Sequence, residues 1–327
     1  MRAGGAGAAS GSRRAGAGVN GPLYLGLDVG GTKCAAVLGD ANGAVVDRVQ
    51  WPTDASRGPD AVIADLINHG RRLLDVRGGD VRSAGVAIGG PLDADAGVVL
   101  SPPNLPGWDR IPLRDRLVVA LGRPVTVMHD ATACALAEYR WGAGRGCRRL
   151  VYLTCGTGFG AGLVFDGRPY SGAGGRPGDV GHVRLVGGGP FGYGRAGTAE
   201  GSCAAAALGR LAAWMFPARW PGGAEPGPAN VAALATAGDA DAAAVIARNA
   251  AAVGQVAAVL ADVLYPDAIL LGSLARYLGS EWVAAVRATF TAEAMPDAAR
   301  LCRIQSAALG ERLQDCSALA AAAWAAE

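Results

Sequence analysis

Charge is scarce in this chain of 327 residues, so its surface offers little to a polyanionic partner. Charged residues make up 18% of the chain, and the formal net charge is +2. Arg2, Arg13 and Arg14 lie in the N-terminal segment, which leaves the remainder close to neutral. Binding to nucleic acid needs a basic patch or stripe. The composition therefore predicts no nucleic-acid partner.

Paired cysteines and long apolar runs are also missing. The seven cysteines are scattered and never form a Cys-x-x-Cys pair, a pattern typical of free thiols in a reducing compartment. No run approaches the ~18 consecutive apolar residues of a membrane span. Residues 1–22 are rich in Gly, Ala, Ser and Arg and lack the apolar centre of a signal peptide. We expect a cytoplasmic protein with no membrane partner, in which residues 1–22 form a disordered extension.

About half of the residues are apolar, and a chain of this length usually divides into two lobes. In both halves, a short apolar strand runs into a glycine-rich turn and a second strand follows, which is a weak internal repeat. The repeat predicts two similar α/β lobes with a cleft between them. We predict strands over 23–27, 34–38, 44–50, 83–88, 124–128, 150–154, 162–165 and 268–271, and helices over 59–74, 113–121, 130–141, 202–214, 239–264, 282–292 and 311–326.

Two glycine-rich turns are the first candidates for binding chemistry. Glycines let backbone N–H groups approach a phosphate without a Cβ in the way, and a carboxylate at a strand end can hold Mg²⁺ through water. Each turn alone could be an ordinary hairpin or a flexible loop, but one per lobe is what gripping a nucleotide triphosphate in a cleft needs. The predicted nucleotide site comprises Asp28, with Mg²⁺ nearby, Gly30, Gly31, Thr32 and Lys33 in the first turn, and Gly156, Thr157, Gly158 and Gly160 in the second.

Asp130 lies between a predicted strand and a predicted helix. It can be a general base that accepts the proton of an attacking hydroxyl during phosphoryl transfer. It can also be a plain helix cap. Asp179, His182 and Glu200 lie in a glycine-rich stretch and suit the several hydroxyls of a polyol, although solvated loop polarity would give the same pattern.

The motifs together resemble the ROK (repressor, ORF, kinase) family, and its glucokinase-like sugar kinases in particular. The resemblance begins near residue 23 and runs to the end of the chain. It is carried by DVGGTK (28–33), GGPLD (89–93), SPPNLPGW (101–108), HDATACALAE (129–138), GTGFGAG (156–162), DVGH (179–182) and a GxxGTAE segment that ends at Glu200.

The resemblance implies an α/β, actin-like ATPase (ribonuclease H-like) fold of two lobes with an interlobe cleft. We expect a small lobe over 23–130, joined by the C-terminal helix 311–327, and a large lobe over 131–310. The implied activity is ATP- and Mg²⁺-dependent phosphorylation of a hydroxyl of a hexose or hexose-like polyol, with Asp130 as base, in a homodimer or homotetramer. Gly272 is implied on the adenosine side, and the implied acceptor contacts are Gly90, Asn104, His129, Asp130, Asp179, His182 and Glu200.

The sequence departs from the family pattern on the acceptor side. The family's structural zinc site uses a histidine, which is His182 here, and three cysteines, whose positions are taken by Phe191, Tyr193 and Thr198. One histidine cannot hold zinc, so we predict no zinc site and expect Phe191 and Tyr193 to hold the loop by apolar packing. His129 replaces the usual Asn and Asp179 the usual Glu, which suggests an acceptor other than plain glucose, such as a modified sugar or a carbocyclic polyol (cyclitol).

Two other functions stay open. Sugar-responsive repressors of this family carry a helix-turn-helix domain ahead of the kinase-like part, and only about twenty residues precede the first predicted strand here, which disfavours that function. A non-catalytic sugar-binding or regulatory protein is favoured slightly by the altered acceptor side. It is disfavoured by the retention of both glycine-rich turns and of Asp130.

Overall fold

The computed structural model describes residues 21–77, 81–176, 178–221 and 224–327. The extension predicted over residues 1–22 lies outside these residues except for its last two. The described strands are β1 (Leu23–Val29), β2 (Lys33–Asp40), β3 (Val45–Pro52), β4 (Val81–Ile88), β5 (Leu92–Asp93), β6 (Val98–Val99), β7 (Val125–His129), β8 (Arg149–Leu153), β9 (Ala161–Phe165), β10 (Arg168–Pro169), β11 (Phe191–Gly192), β12 (Arg195–Ala196), β13 (Ala268–Leu271) and β14 (Arg303–Ser306).

Ten of these strands form two five-stranded sheets of the same design. The first sheet has the order β3-β2-β1-β4-β7, and the second has the order β10-β9-β8-β13-β14. In each sheet the first three strands are antiparallel, and the last two continue parallel to the third. The internal repeat predicted from the sequence is therefore confirmed as two α/β lobes. The residue boundaries proposed for the lobes stay a prediction.

The helices cover and separate the two sheets. They are α1 (Gly58–Arg77), α2 (Leu113–Leu121), α3 (Asp130–Trp141), α4 (Ala199–Cys203), α5 (Ala207–Met215), α6 (Pro228–Thr236), α7 (Ala240–Leu264), α8 (Ser273–Glu293), α9 (Pro296–Leu301) and α10 (Leu313–Trp324). One buried cluster combines the alanine-rich faces of α3 and α10 with side chains from both sheets. These two helices therefore lie where the lobes meet.

Glycines let α10 and α3 contact the sheets at the backbone. A Cβ on Gly85 in β4 would lie 2.0 Å from the nitrogen of Ala322 in α10. A Cβ on Gly162 in β9 would lie 2.0 Å from the carbonyl oxygen of Ala131 in α3. Real Cβ atoms do not approach other atoms this closely, so only glycine permits this packing at either position. The start of α3 is thereby held against the second sheet.

Some predicted elements differ from the structure. The helix predicted over 202–214 is wrong as a single element, because Ala204 is extended between α4 and α5 and the N–H of Ala205 donates to the Gly156 carbonyl at 2.7 Å. A tertiary hydrogen bond thus overrides local helix propensity. The sequence analysis also missed α6, α9 and β14, which are short and carry weak periodicity.

Helix α7 is long and apolar enough to cross a membrane by length and composition, with a mean hydropathy of 1.5. Half of that segment is buried within the protein, and its buried side belongs to the core of the second lobe. The helix thus has the burial of a core helix, and its composition is weak evidence for a membrane span.

Candidate active site

Asp130 is the first residue of α3, directly after β7. Its Oδ1 accepts the N–H of Ala131 at 2.6 Å, and the ring Nδ1 of His129 accepts the same N–H at 3.3 Å. Oδ2 makes no hydrogen bond within the described parts of the chain, and the side chain is 47% exposed. His129 occupies the cap position of α3, and Asp130 shares the capping contact through Oδ1, so the alternative that it helps to cap the helix stays open beside the role of base. One carboxylate oxygen is therefore fixed while the other is open to a ligand.

Asp28 lies in the same sheet, near the end of β1. In the strand register Asp28 is opposite Ala87, and Ala87 is opposite Met128. Asp28 is thus two strands, or roughly 10 Å of backbone, from the end of β7. The pKa of Asp28 is raised to about 7, first by burial and second by the negative charge of Asp130. The two carboxylates therefore share one electrostatic site.

Each glycine-rich turn presents two consecutive backbone N–H groups without partners. In the described structure, the N–H groups of Gly31 and Thr32 make no hydrogen bond, and neither do those of Thr157 and Gly158. The two turns lie at equivalent places, since one joins β1 to β2 and the other joins β8 to β9. Unpaired, partly exposed N–H groups in a turn form an anion-binding concavity. The geometry suits phosphate binding in both lobes.

Hydrogen bonds hold both turns in shape. In the first turn, the N–H of Gly30 donates to the Lys33 carbonyl at 3.1 Å, and the hydroxyl of Thr53 donates to the Gly30 carbonyl at 2.6 Å. In the second turn, Thr154 and Gly160 are joined by two bonds of 3.0 Å. Both turns therefore have a fixed base beneath their free N–H groups.

The second turn lies beside the start of α3 and beside Glu200. A Cβ on Gly160 would lie 4.0 Å from the Cβ of Ala131, and one on Gly158 would lie 3.1 Å from Oε2 of Glu200. The N–H of Phe159 donates to the same Glu200 oxygen at 3.4 Å. The turn that carries Thr157 thus borders the segment that carries Asp130.

Other predicted acceptor residues surround Asp130 on the first lobe. A Cβ on Gly90 would lie 2.8 Å from the His129 ring, and a Cβ on Gly89 would lie 3.9 Å from Oδ2 of Asp130. Asn104 is exposed and lies against Gly31, where an added Cβ would come within 2.8 Å of the Asn104 Cβ. Asn104 therefore lies beside the first turn, and Gly90 and His129 lie beside Asp130.

Asp179 and His182 are gathered by a hairpin formed by β11 and β12. The ring of Tyr193 meets the His182 ring edge to face at 5.6 Å. The pKa of Tyr193 is raised to about 12, first by burial and then by the negative charges of Asp179 and Glu200. The negative charge of Asp130 also contributes to the raised pKa of Tyr193. The charges of three acidic residues predicted on the acceptor side thus act on one tyrosine.

The apolar packing expected of Phe191 is wrong, because its side chain is 60% exposed. Polar contacts hold the loop instead. Buried Thr198 accepts the N–H of Gly201 at 3.2 Å, which caps α4, and donates to the Gly192 carbonyl at 3.0 Å. A hydroxyl can do both, whereas Phe191 has no polar group to use.

Several positioning residues were missed by the sequence analysis. Buried Asn249 in α7 donates to the Ser202 carbonyl at 2.8 Å and accepts the indole N–H of Trp282 at 2.9 Å. This network fixes the helix that carries Glu200. Arg195, which contacts His182, was also missed. The available signal was that His182 lacks the three cysteines expected beside it, while an arginine lies in the segment where they would stand.

Gly272 lies beneath the second turn. It is buried, and its N–H donates to the Leu153 carbonyl at 2.8 Å. A Cβ there would lie 2.3 Å from the Thr154 carbonyl oxygen, so glycine is needed for packing. The half-buried Ser273 next to it lies against Gly156. The prediction that this turn contacts the adenosine stays a prediction.

The family implies two metal ions, Mg²⁺ and zinc, and they differ in how well these residues could bind them. Asp28 offers a carboxylate oxygen, the ligand type that Mg²⁺ prefers, and a cation beside it would relieve the repulsion between Asp28 and Asp130. The zinc site does not fit, because Phe191, Tyr193 and Thr198 supply no thiolate. Within the described residues, no group of three or more His, Cys, Asp or Glu side chains could hold a metal ion.

Comparison with known proteins assigns the family. The model of the ROK family matches residues 24–327, so the chain belongs to the ROK family. A glucokinase of Halalkalibacterium halodurans is 30% identical over 302 residues, which cover 88% of this chain and 91% of the relative. An N-acetylmannosamine kinase of Salmonella newport is 36% identical over 177 residues, which cover 54% of this chain and 59% of the relative.

Solved structures agree with this assignment and confirm the actin-like ATPase fold. A ROK hexokinase from Thermus thermophilus has a TM-score of 0.81 at 31% identity and covers 92% of this chain and 98% of its own. A ROK glucokinase from Streptomyces griseus, in complex with glucose and AMPPNP, has a TM-score of 0.75 at 27% identity and covers 92% and 99%. A ROK transcriptional regulator has a TM-score of 0.80 at 22% identity, covers 94% and 79%, and shows the fold alone.

Proposed function

We propose that this ROK family protein is an ATP-dependent kinase that phosphorylates a hydroxyl of a hexose or hexose-like polyol. The observation that carries the proposal is the position of Asp130. Its open Oδ2 lies in one electrostatic site with Asp28, and two turns with unpartnered N–H groups border that site. Sugar kinases among the relatives support the same activity.

In the proposed mechanism, Oδ2 of Asp130 accepts the proton of the acceptor hydroxyl as its oxygen attacks the γ-phosphorus of ATP. The bond from the γ-phosphorus to the bridging oxygen breaks, and ADP leaves. The N–H groups of Gly31, Thr32, Thr157 and Gly158 donate to phosphate oxygens and stabilise the transferring charge. A Mg²⁺ ion held near Asp28 would supply further charge neutralisation.

For the acceptor, we propose a sugar or polyol other than plain glucose. Asp179 and His129 stand where the family has Glu and Asn, so the hydrogen-bonding groups offered at two acceptor positions differ from the family pattern. One lost or moved hydrogen bond shifts substrate preference by ~1–3 kcal/mol. Relatives that act on different sugars leave the acceptor open, and a cyclitol remains in the proposed class.

We also propose a cytoplasmic location and a homodimer or homotetramer. The cytoplasmic location is supported by the seven cysteines, which are all free and buried, as expected in a reducing compartment. Light scattering after size-exclusion chromatography measures the oligomeric state.

The deciding experiment is a coupled ADP-release assay across hexoses, N-acetyl sugars, amino sugars and cyclitols, with ATP and Mg²⁺. We expect turnover with at least one acceptor and identify the phosphorylated hydroxyl by NMR of the product. Sugar binding by calorimetry without ADP release would instead support the non-catalytic function. Binding of a specific DNA sequence would support a regulator.

A further inference from the structure

The hairpin of β11 and β12 holds His182 from two sides. One terminal nitrogen of Arg195, Nη2, lies 2.9 Å from Nδ1 of His182 and donates to the His182 carbonyl at 2.7 Å. The ring of Tyr193 lies against the same imidazole at an angle of 83°. The place and orientation of the His182 ring are therefore set by the hairpin.

The hairpin itself is rigid for a local reason. Its turn consists of Tyr193 and Gly194, with φ angles of 50° and 74°, which is the geometry of a two-residue type I′ turn. The N–H of Leu185 donates to the Gly197 carbonyl at 2.8 Å, and the N–H of Ala199 donates to the Val183 carbonyl at 2.8 Å. These bonds tie the hairpin to the segment that follows His182.

The contact between Arg195 and His182 fixes where the imidazole carries its proton. A guanidinium group can only donate hydrogen bonds. Nδ1 of His182 must therefore accept, and a neutral ring must carry its proton on Nε2. The ring then offers Nε2–H as its only donor.

We propose that Arg195 is a positioning residue that takes the place of the family's structural metal beside His182. A metal ion bound at Nδ1 would use the same lone pair that accepts the Arg195 N–H, so either cation leaves the proton on Nε2. A chain without the three cysteines can thus present the histidine to an acceptor oxygen as a fixed hydrogen-bond donor. Only this last role, toward the acceptor, rests on the proposed kinase function.

The kinetic test compares three variants with the acceptor found in the panel assay. Arg195→Ala should raise KM for the acceptor about tenfold with little change in kcat, as for other residues that orient a functional histidine. Arg195→Lys keeps a charge and a donor and should recover part of the loss. Arg184→Ala is the matched control, since Arg184 is exposed and its side chain makes no hydrogen bond or ion pair within the described residues. An unchanged KM in Arg195→Ala overturns the positioning role.

The structural test does not need turnover. The chain has three histidines, so ¹⁵N-histidine labelling gives a simple spectrum in which His182→Gln identifies the His182 signals. We expect wild-type His182 to be protonated at Nε2 and bare at Nδ1, and Arg195→Ala to show a mixture of tautomers. A wild-type ring protonated at Nδ1 overturns the inference even if the kinase is active. The expected tautomer in a protein without turnover supports the inference while the proposed function fails. If Arg195→Ala does not fold, the wild-type and Arg195→Lys spectra decide.

Discussion

Replacement of Asp130 by Asn isolates the proposed base without disturbing its surroundings. The amide oxygen of Asn can accept the Ala131 N–H as Oδ1 does now at 2.6 Å, so the start of α3 should be preserved. The lost group is the open Oδ2, which becomes an NH₂ that cannot accept a proton. General-base catalysis contributes roughly 10²–10⁴-fold, and each tenfold is about 1.36 kcal/mol. We expect Asp130→Asn to raise the activation barrier by about 3–5 kcal/mol.

The assay measures kcat by coupled ADP release and nucleotide binding by calorimetry. We expect kcat to fall at least a hundredfold while ATP binds as in the wild type and the melting temperature is unchanged. Asp297→Asn is the control, because Asp297 also lies in the first turn of a helix, α9, but pairs with Arg300 on the surface. If Asp130→Asn keeps kcat within about threefold of the wild type, the carboxylate is not the base, since a base contributes far more than that.

The remaining predictions concern stability and metal content. Gly85→Ala should lower the free energy of unfolding by about 1–3 kcal/mol, because its Cβ would meet the nitrogen of Ala322. Urea denaturation measures this, with Gly187→Ala as a control whose Cβ meets nothing within 4 Å. The hydrogen bonds that the Asp239 carboxylate accepts from Arg219 lower the pKa of Asp239 from 3.8 to about 2. The stabilisation is present above pH 4 and lost as the pH falls toward 2, so circular dichroism should show less acid sensitivity in that window for Asp239→Asn. Elemental analysis should find substoichiometric zinc, and EDTA should leave the melting temperature unchanged; one zinc per chain would contradict the inference from the hairpin.

The elements that could be predicted from the sequence are those determined by local sequence pattern. Strand, glycine turn and strand recur in both halves, and a short apolar run between turn residues is enough to place β1, β8 and the two turns. The boundaries of α3 were also predictable, because Asp130 follows a strand and Gly142 follows the last helical residue. Each of these features depends on residues close together in the chain.

Features that depend on contacts between distant segments were not predictable. Nothing in residues 202–214 reveals that Ala205 will donate to Gly156 and divide the helix. The pairing of Arg195 with His182 depends on a hairpin whose turn has positive φ at a tyrosine, which sequence statistics disfavour. The exposure of Phe191 likewise follows from the side of the hairpin on which it falls. In each case tertiary geometry decides between local options of similar energy.

The packing of α3 also determines how firmly Asp130 is positioned. The first turn of α3 packs directly against β9, where the Ala131 carbonyl leaves no room for a Cβ on Gly162. This close contact holds Asp130 near the second glycine-rich turn. At the other end of α3, fully buried Glu138 accepts the N–H groups of Ala143 at 2.8 Å and Leu309 at 2.8 Å, which ties α3 to the segment that leads into α10. Helix α3 is therefore tied to both sheets, because α10 in turn packs against Gly85 in β4 of the first sheet. Asp130 follows β7 directly and so belongs to the sheet of Asp28, while Gly162 holds the next residue, Ala131, against the second sheet. The proposed base is thus positioned by both sheets at once, which is the fixed geometry that transfer between two bound reactants needs.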